Sequence, residues 1–344
     1  DARADRYRVA MGAALDDENV DGALVILTPQ SMTDIDAIAE EVCTVASRSP
    51  KPTYASFMGE TDVASGIAIL QRRNIPHYTL PESMCRAFAR AEDFRRECAR
   101  QHEPVPHFED VDRVAAQAIL DAAHAAGRTY LPHSEALGVL AAYGIPTLPG
   151  CLAASASEAA QCAAGAQFTV AMKVESDDIV HKFDIGGVVL DVQAPDEAAH
   201  AFDRIVANAY AAMPDARVKG VYVQQMSGRG EEVILGMKRD ASFGPVILFG
   251  LGGLFVEIFR DVSFRVAPVP PDVVREMIRD IRSYGILAGA RGRPVRDTDA
   301  VAVCLQRLSQ LAVDCPLIKE LDINPLIVRD AGQGCAVADA RILL

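Results

Sequence analysis

A lysine, a histidine and two glycines lie close together between Val170 and Leu190, and their types suit the handling of phosphate. Lys173 lies in an apolar run that predicts a β-strand, His181 follows in a loop, and Gly186 and Gly187 lead into a second apolar run. Lysine supplies a cation, glycine lets backbone N–H groups approach an anion, and an imidazole can accept a phosphoryl group. We therefore predict a phosphate site here, with a structural histidine as the alternative for His181.

A second glycine-rich segment follows the apolar run 246–249, which predicts another strand. Gly252 and Gly253 could lay backbone N–H groups against a phosphate, and Glu257 lies on the strand predicted next. The segment lacks the GxxxxGKS or GxxxxGKT pattern of a P-loop, so a tight turn is the alternative interpretation.

Oxygen-bearing side chains near the C-terminus belong to two strands that we predict to be neighbours. Asn324 closes one of them and Asp339 lies on the other. Mg²⁺ between nucleotide phosphates keeps several waters and takes only one or two protein oxygens. We predict a magnesium site at these two residues, with an Asx-turn at Asn324 as the alternative.

Residues 1–100 alternate short apolar runs with helical patterns. Strands are predicted at 23–27, 53–57 and 77–79, with helices after Asp34 and Asp62. Repeated βα units build parallel sheets, so a small doubly wound α/β domain is expected. Prolines among clustered charges predict a linker at 101–112.

Residues 113–344 predict a larger α+β domain, in which strand runs alternate with helices. The run Val221 to Met226 predicts a strand whose glutamines, including Gln225, could present backbone groups to the edge of an adenine. Taken alone, this run is only a strand.

The composition excludes several classes of function. A formal net charge of −13 argues against a general nucleic-acid or anionic-membrane surface. No apolar run approaches the ~18 residues of a membrane span, and no signal peptide is evident. We expect a soluble cytoplasmic protein, and the start at Asp1 without methionine suggests a fragment or a processed product.

The cysteines and the remaining histidines show no metal-ligand spacing. The 8 cysteines are scattered among mostly apolar neighbours and predict reduced, buried thiols. The histidines other than His181 are interpreted as ordinary; they are His77, His102, His107, His124, His133 and His200.

Several ordered motifs together resemble the NDP-forming acyl-CoA synthetases (acetate–CoA ligase, ADP-forming), relatives of succinyl-CoA synthetase. The first part resembles their succinyl-CoA-ligase-like flavodoxin domain through DGALVILTPQ at 21–30 and IPHYTLPE at 75–82. The second part resembles their ATP-grasp domain, which has two α+β subdomains. Its motifs are YGIP at 143–146, HKFDIGGV at 181–188, RDASFGPVILFGLGGLFVE at 239–257, DVSFR at 261–265 and DINPL at 322–326.

The resemblance implies a role for each matching residue. Lys173 would contact nucleotide phosphates, Gln225 would lie in the adenine hinge, and His181 would be a phosphorylated relay histidine. Asn324 and Asp339 would hold Mg²⁺. The other nucleotide-binding residues would be Gly252, Gly253, Glu257 and Arg265. Phe183 departs from the family, which usually has serine or threonine there.

The activity implied is the conversion of an acyl acid, CoA and ATP into acyl-CoA, ADP and phosphate through phosphohistidine. The cofactors would be ATP (or GTP) and Mg²⁺, with CoA as co-substrate. The family's CoA-binding domain and primary phosphohistidine domain are absent from these residues, so we expect them in the same chain or in a partner subunit, and a homo- or hetero-oligomer. The chain alone would not complete the reaction.

Two other functions are open at this point. The same synthetase-like domains could form the non-catalytic ligand-sensing part of a protein lysine acetyltransferase. Alternatively, an ATP-grasp ligase could join a carboxylate to an amine through a free acyl phosphate, which needs no phosphohistidine.

Overall fold

The computed structural model describes residues 2–59, 61–166, 169–179, 182–226, 228–252 and 261–344, except the side chain of Arg291. Three residues of the predicted site, His181, Gly253 and Glu257, lie outside these ranges. The chain divides into two compact units, Asp1–Gln101 and His102–Leu344.

The first unit has the predicted βα pattern. Two parallel strands, β1 and β2, pair in register from Ala23 with Thr53 to Leu27 with Phe57. The Asp34 carboxylate accepts a hydrogen bond from the N–H of Ala37, which caps the second helix. The strands and helices are β1 (Ala23–Leu27), β2 (Thr53–Phe57), α1 (Ala4–Asp16), α2 (Ile35–Ala46), α3 (Ala64–Arg72) and α4 (Pro81–Ala99).

The third strand predicted for this unit is reduced to a single parallel bridge between Ala55 and His77. The core joins strand residues such as Phe57 to the apolar faces of α2 and α3, including Ile38 and Leu70. The α/β prediction is therefore confirmed, with a smaller sheet than expected.

The second unit contains a four-stranded antiparallel sheet in the order β4-β7-β5-β6. Every residue of β5 is buried, so this strand is covered on both faces. Two helices, α7 and α8, pack on the sheet through a core that includes Met172 and Ile205. The elements are β4 (Gly150–Ala153), β5 (Val170–Ser176), β6 (Val188–Val192), β7 (Val218–Gln225), α7 (Ala156–Ala164) and α8 (Pro195–Ala212).

The second unit also contains a seven-stranded antiparallel sheet in the order β10-β9-β8-β11-β13-β3, with β12 paired to β11. The strands are β3 (Tyr130–Leu131), β8 (Glu231–Asp240), β9 (Gly244–Leu251), β10 (Val262–Val266), β11 (Glu320–Val328), β12 (Cys335–Val337) and β13 (Ala340–Leu343). The remaining helices described are α5 (Arg113–Ala125), α6 (His133–Ala142), α9 (Pro271–Arg279), α10 (Tyr284–Leu287) and α11 (Thr298–Asp314).

Side-chain alternation gives this sheet two different faces. Leu235, Phe249 and Ile323 belong to the core that includes α6 and α11. The neighbouring residues Asp322 and Asn324 lie on the opposite face, which is therefore available for a site.

The linker was predicted at 101–112, and its residues from His102 onward belong to the second unit and are hydrogen-bonded within it. The N–H of Phe108 donates to the Gln310 side chain at 2.8 Å, and the Gln310 amide donates back to the Phe108 carbonyl at 3.1 Å. The N–H of Asp112 donates to the Ala142 carbonyl. Across the residues described, no helix has the length and apolar character needed to cross a membrane.

The prediction that all cysteines are reduced, buried thiols is wrong. Cys151 and Cys162 are joined by a disulfide, because α7 packs back against β4 and brings their Cα atoms to 6.4 Å. Cys85 and Cys98 are exposed, because α4 is a charged helix whose only buried residue is Met84.

Candidate functional site

A cleft of about 230 Å³ in the second unit is lined by residues of both of its sheets. Lys173 comes from β5, whereas Asn324 comes from β11 and Asp339 from the connection between β12 and β13. The structure thus brings together three predicted site residues that are far apart in sequence. The cleft is further lined by Tyr130, Lys182, Phe183, Asp184, Val188, Asp322, Ala340 and Arg341.

Lys173 reaches from the four-stranded sheet to the other one. Its Nζ donates to the carbonyl of Ala338 at 2.8 Å and lies 3.5 Å from Oδ1 of Asp339. Burial lowers the pKa of Lys173, and the Asp339 carboxylate opposes that effect. The lysine therefore places a nearly buried cation at the floor of the cleft.

Backbone pairing holds Asn324 beside Asp339. The N–H of Asn324 donates to the Asp339 carbonyl at 3.1 Å, and the N–H of Ala338 donates to the Pro325 carbonyl at 3.0 Å. The β11–β8 register shifts between Ile323 and Leu326, an irregularity of the kind that redirects side chains near functional sites. Asn324 is thereby exposed within β11.

Two details of the sequence-based prediction need correction here. Asn324 lies inside β11 and not at its end, so the Asx-turn alternative does not describe this structure. Asp339 lies between β12 and β13 and not on a strand. The register shift in β11, which sequence periodicity does not reveal, is the physical reason for the first difference.

The Asp339 carboxylate is held in its charged form. Burial raises its pKa, but the His133 imidazole and the Lys173 ammonium lower it more, so the pKa of Asp339 stays well below its usual range. The Asp339 side chain nevertheless remains 42% exposed, because it faces the cleft. A charged, accessible carboxylate is a suitable ligand for a hard divalent cation.

His133, interpreted from the sequence as an ordinary histidine, lies directly behind Asp339. Its Nδ1 is 2.7 Å from Oδ1 of Asp339, and its side chain is fully buried. The imidazole packs edge-on against the Tyr222 ring, with 5.1 Å between centroids. Burial lowers the pKa of His133, and the Asp339 carboxylate opposes that effect.

A buried carboxylate, Glu175, adjoins the site and was also missed, and the partly buried Lys182 lies near it. Glu175 is fully buried on β5, and its Oε1 accepts hydrogen bonds from the N–H and the hydroxyl of Ser134 at 2.9 and 2.5 Å. Lys182 lies 3.9 Å from the other oxygen of Glu175. These contacts tie the first turn of α6 to β5 and to the loop that lines the cleft.

Three other predicted residues, Gln225, Gly252 and Arg265, do not line this cleft. Gln225 ends β7, and its N–H donates to the Pro149 carbonyl at 2.8 Å. Arg265 lies on β10, where it pairs with Asp280 at 2.5 Å. A hinge role for Gln225 and a nucleotide role for Arg265 stay predictions.

The N–H of Gly252, predicted to approach a phosphate, has a protein partner in this structure. It donates to the Glu232 carbonyl at 2.7 Å and so continues the pairing of β9 with β8. A Cβ at this position would lie 2.8 Å from the Glu232 carbonyl carbon, which explains the glycine structurally. A close approach of this backbone to a nucleotide stays a prediction.

The residues of the cleft fit a Mg²⁺ ion that is bound mainly by a nucleotide. The described part of the chain holds no group of three or more His, Cys, Asp or Glu residues that could bind a metal without help. One carboxylate and one amide oxygen, from Asp339 and Asn324, match the small protein contribution that Mg²⁺ needs when phosphates supply other ligands. The pKa of the neighbouring Asp322 is raised by burial, which favours its neutral form.

Comparisons with known proteins find relatives of the whole chain and of its second unit. An ATP-grasp domain profile matches residues 122–344. The acetate–CoA ligase [ADP-forming] I of Archaeoglobus fulgidus is 38% identical over 100% of this chain and 49% of its own length. The chain therefore spans about half of that relative. The beta subunit of acetate–CoA ligase [ADP-forming] I from Pyrococcus furiosus is 44% identical over 68% of this chain and 100% of its own length.

A solved structure is also similar. It is the dinucleotide-forming acetyl-coenzyme A synthetase 1 of Ca. Korarchaeum cryptofilum in complex with coenzyme A and Mg-AMPPCP, with its phosphohistidine segment pointing towards the nucleotide-binding site. The TM-score is 0.58 at 35% identity, over 67% of this chain and 99% of that one. Together with the cleft that joins Lys173, Asn324 and Asp339, these matches show that the chain belongs to the ADP-forming acyl-CoA synthetase family and carries its ATP-grasp domain.

Proposed function

We propose that this chain is the nucleotide-binding and phosphoryl-transfer portion of an ADP-forming acid–CoA ligase. The observation that carries the proposal is the meeting of Lys173, Asn324 and Asp339 in one cleft. A cation from one sheet faces a carboxylate and an amide from the other, which is the set of groups that a metal–nucleotide complex requires.

Each residue of the cleft has a distinct role in this proposal. The Lys173 ammonium stabilises negative charge on the nucleotide phosphates as the γ-phosphoryl group is transferred. Asn324 and Asp339 hold Mg²⁺, which neutralises phosphate charge when bound. Burial of Lys173 excludes water from its side of the cleft and strengthens its electrostatic effect.

The phosphoryl group passes to a histidine nitrogen: a P–N bond forms, the P–O bond to ADP breaks, and ADP leaves. His181 remains our candidate acceptor within this chain on sequence grounds. The histidine next transfers the phosphoryl group to the carboxylate of a small acyl acid, and the CoA thiol attacks the resulting acyl phosphate and releases phosphate. We assign the CoA site and the primary phosphohistidine to the half of the enzyme that longer relatives carry, and a partner subunit or further domain would supply it.

Labelling with [γ-³²P]ATP and Mg²⁺ tests phosphoryl transfer. We expect an acid-labile, base-stable label on the chain, and we expect it to be lost in His181→Ala but retained in the control His124→Ala, which alters an exposed histidine of α5. If the chain binds ATP but carries no phosphoryl label, the acceptor histidine lies in the other half of the enzyme. Failure of the wild-type chain to bind ATP would contradict the proposed function, whereas label on the chain would contradict the ligand-sensing alternative.

A further inference from the structure

The buried imidazole of His133 lies on the far side of Asp339 from the cleft. Asp339 lines the cleft and His133 does not, yet Nδ1 of His133 is 2.7 Å from Oδ1 of Asp339. Among the residues described, neither ring nitrogen of His133 makes a hydrogen bond of regular geometry, and the 2.7 Å approach of Nδ1 to Asp339 is the close polar contact of the ring. The Asp339 carboxylate is therefore the group that this nitrogen can reach.

The position of the imidazole is fixed by its surroundings. His133 begins α6, whose residues Ala136, Leu137 and Leu140 are buried in the core. The next residue, Ser134, is anchored to Glu175 by two hydrogen bonds. The ring also contacts Tyr222 edge-on, so a change of rotamer would require the core to move.

Asp339 needs such an anchor because its backbone lies in a short connection between strands. Its carboxylate has two close neighbours among the described contacts, Lys173 at 3.5 Å and His133 at 2.7 Å. Because Lys173 is proposed to contact a phosphate of the bound nucleotide, His133 is the neighbour left to fix the carboxylate. Groups behind a metal ligand set its orientation, and their loss typically weakens metal binding by about 10- to 100-fold.

We propose that His133 is a positioning residue that orients the Asp339 carboxylate for the divalent cation of the bound nucleotide. This inference rests on the proposed function. It assigns a role to a side chain that touches neither the nucleotide nor the metal, and it explains why a fully buried histidine lies beside a carboxylate that faces the cleft.

Mn²⁺ in place of Mg²⁺ gives a direct measurement, because free and bound Mn²⁺ differ in their electron paramagnetic resonance signal. The affinity of the full chain for Mn²⁺ would be measured at saturating ADP for the wild type, His133→Asn, His133→Gln and His133→Leu. The asparagine amide nitrogen can occupy the place of Nδ1, whereas the glutamine amide extends to the place of Nε2. We expect a loss of about 10- to 100-fold in the leucine and glutamine variants, and recovery of most of it in the asparagine variant.

Two controls separate positioning from a general structural effect. ADP affinity in EDTA should be unchanged in every variant, and His124→Gln on the exposed face of α5 should match the wild type. If His133→Leu does not fold, the Mn²⁺ affinities of His133→Asn and His133→Gln still test whether His133 orients Asp339. The inference would be overturned if the variants bind Mn²⁺ within twofold of the wild-type affinity. It would also be overturned if the asparagine and glutamine variants lose Mn²⁺ affinity equally and both bind ADP more weakly in EDTA. A wild-type chain that binds no Mn²⁺ with ADP would instead overturn the proposed function.

Discussion

At the scale of single residues, Lys173 shows how the site accommodates a buried charge. Burying an ammonium is costly unless nearby acceptors compensate for lost water. The Ala338 carbonyl and the Asp339 carboxylate provide that compensation. A phosphate oxygen can replace the carboxylate as the anionic partner with little change in solvation, so the lysine can exchange one partner for the other.

Replacing Lys173 by methionine keeps most of the side-chain volume and removes the charge. Hydrogen bonds to charged groups contribute about 1.5–3 kcal/mol, so ATP affinity should fall by roughly 10- to 100-fold. Calorimetric titration would measure this loss, and thermal unfolding would show that the variant is folded. The matched control is Lys219→Met, whose amine pairs with Asp177 and Glu135 and does not line the cleft, and it should bind ATP normally. Equal affinity of the Lys173 variant and the wild type would argue against a phosphate contact.

The site residues that the sequence indicated can be recognised from local motifs, whereas those that it missed can be recognised only from the folded structure. Lys173, Asn324 and Asp339 belong to local sequence motifs in or beside predicted strands, and the family resemblance of those motifs implied that they meet at one nucleotide. The roles of His133 and Glu175 become apparent only from their tertiary contacts. Nothing in the spacing of His133 indicates that α6 would bring it to the carboxylate of Asp339.

At the scale of elements, β7 supports the strand that carries Lys173. It lies between β4 and β5 in the four-stranded sheet, and Gly220 pairs with Glu175. Gly220 has φ of +148°, and a Cβ there would lie 2.2 Å from the Ala153 carbonyl oxygen. Only glycine allows β4 and β7 to approach this closely.

Gly220→Ala should therefore destabilise the protein by about 3 kcal/mol, because both backbone strain and overlap with β4 would have to be relieved. Urea unfolding would measure the change in the free energy of unfolding. Gly228→Ala is the control: apart from its chain neighbours, no atom of the described residues lies within 4 Å of the added Cβ, so its effect should be below about 0.5 kcal/mol. Similar effects of the two substitutions would refute this account of the β4–β7 contact.

Periodicity predicted most strands and helices but not how they pair. The runs at 23–27 and 53–57 were sufficient for the parallel sheet of the first unit. The hydrogen bond from the Gly252 N–H to the Glu232 carbonyl depends on the register of β9 with β8. The Cys151–Cys162 disulfide depends on how α7 packs. Neither register nor disulfide pairing can be read from a single sequence.

At the scale of the whole molecule, the ATP-grasp unit brings into one cleft the three residues that we propose to hold a metal–nucleotide complex, Lys173, Asn324 and Asp339. The chain spans 49% of the Archaeoglobus relative, so the groups that bind CoA and the acyl acid are proposed to lie in the other half. This division predicts that nucleotide binding survives in the chain by itself, whereas acyl-CoA formation needs the other half.

The most direct test is calorimetric titration of the 344-residue chain with ATP, in Mg²⁺ and in EDTA, for the wild type and for Asn324→Ala. Asn324 is exposed in the cleft, so its replacement should leave the fold intact. We predict that the wild type binds ATP more tightly with Mg²⁺, and that the variant loses about tenfold or more of this affinity in Mg²⁺ but none in EDTA. Equal affinities of the two proteins in Mg²⁺, or no ATP binding by the wild type, would contradict the assignment of this cleft.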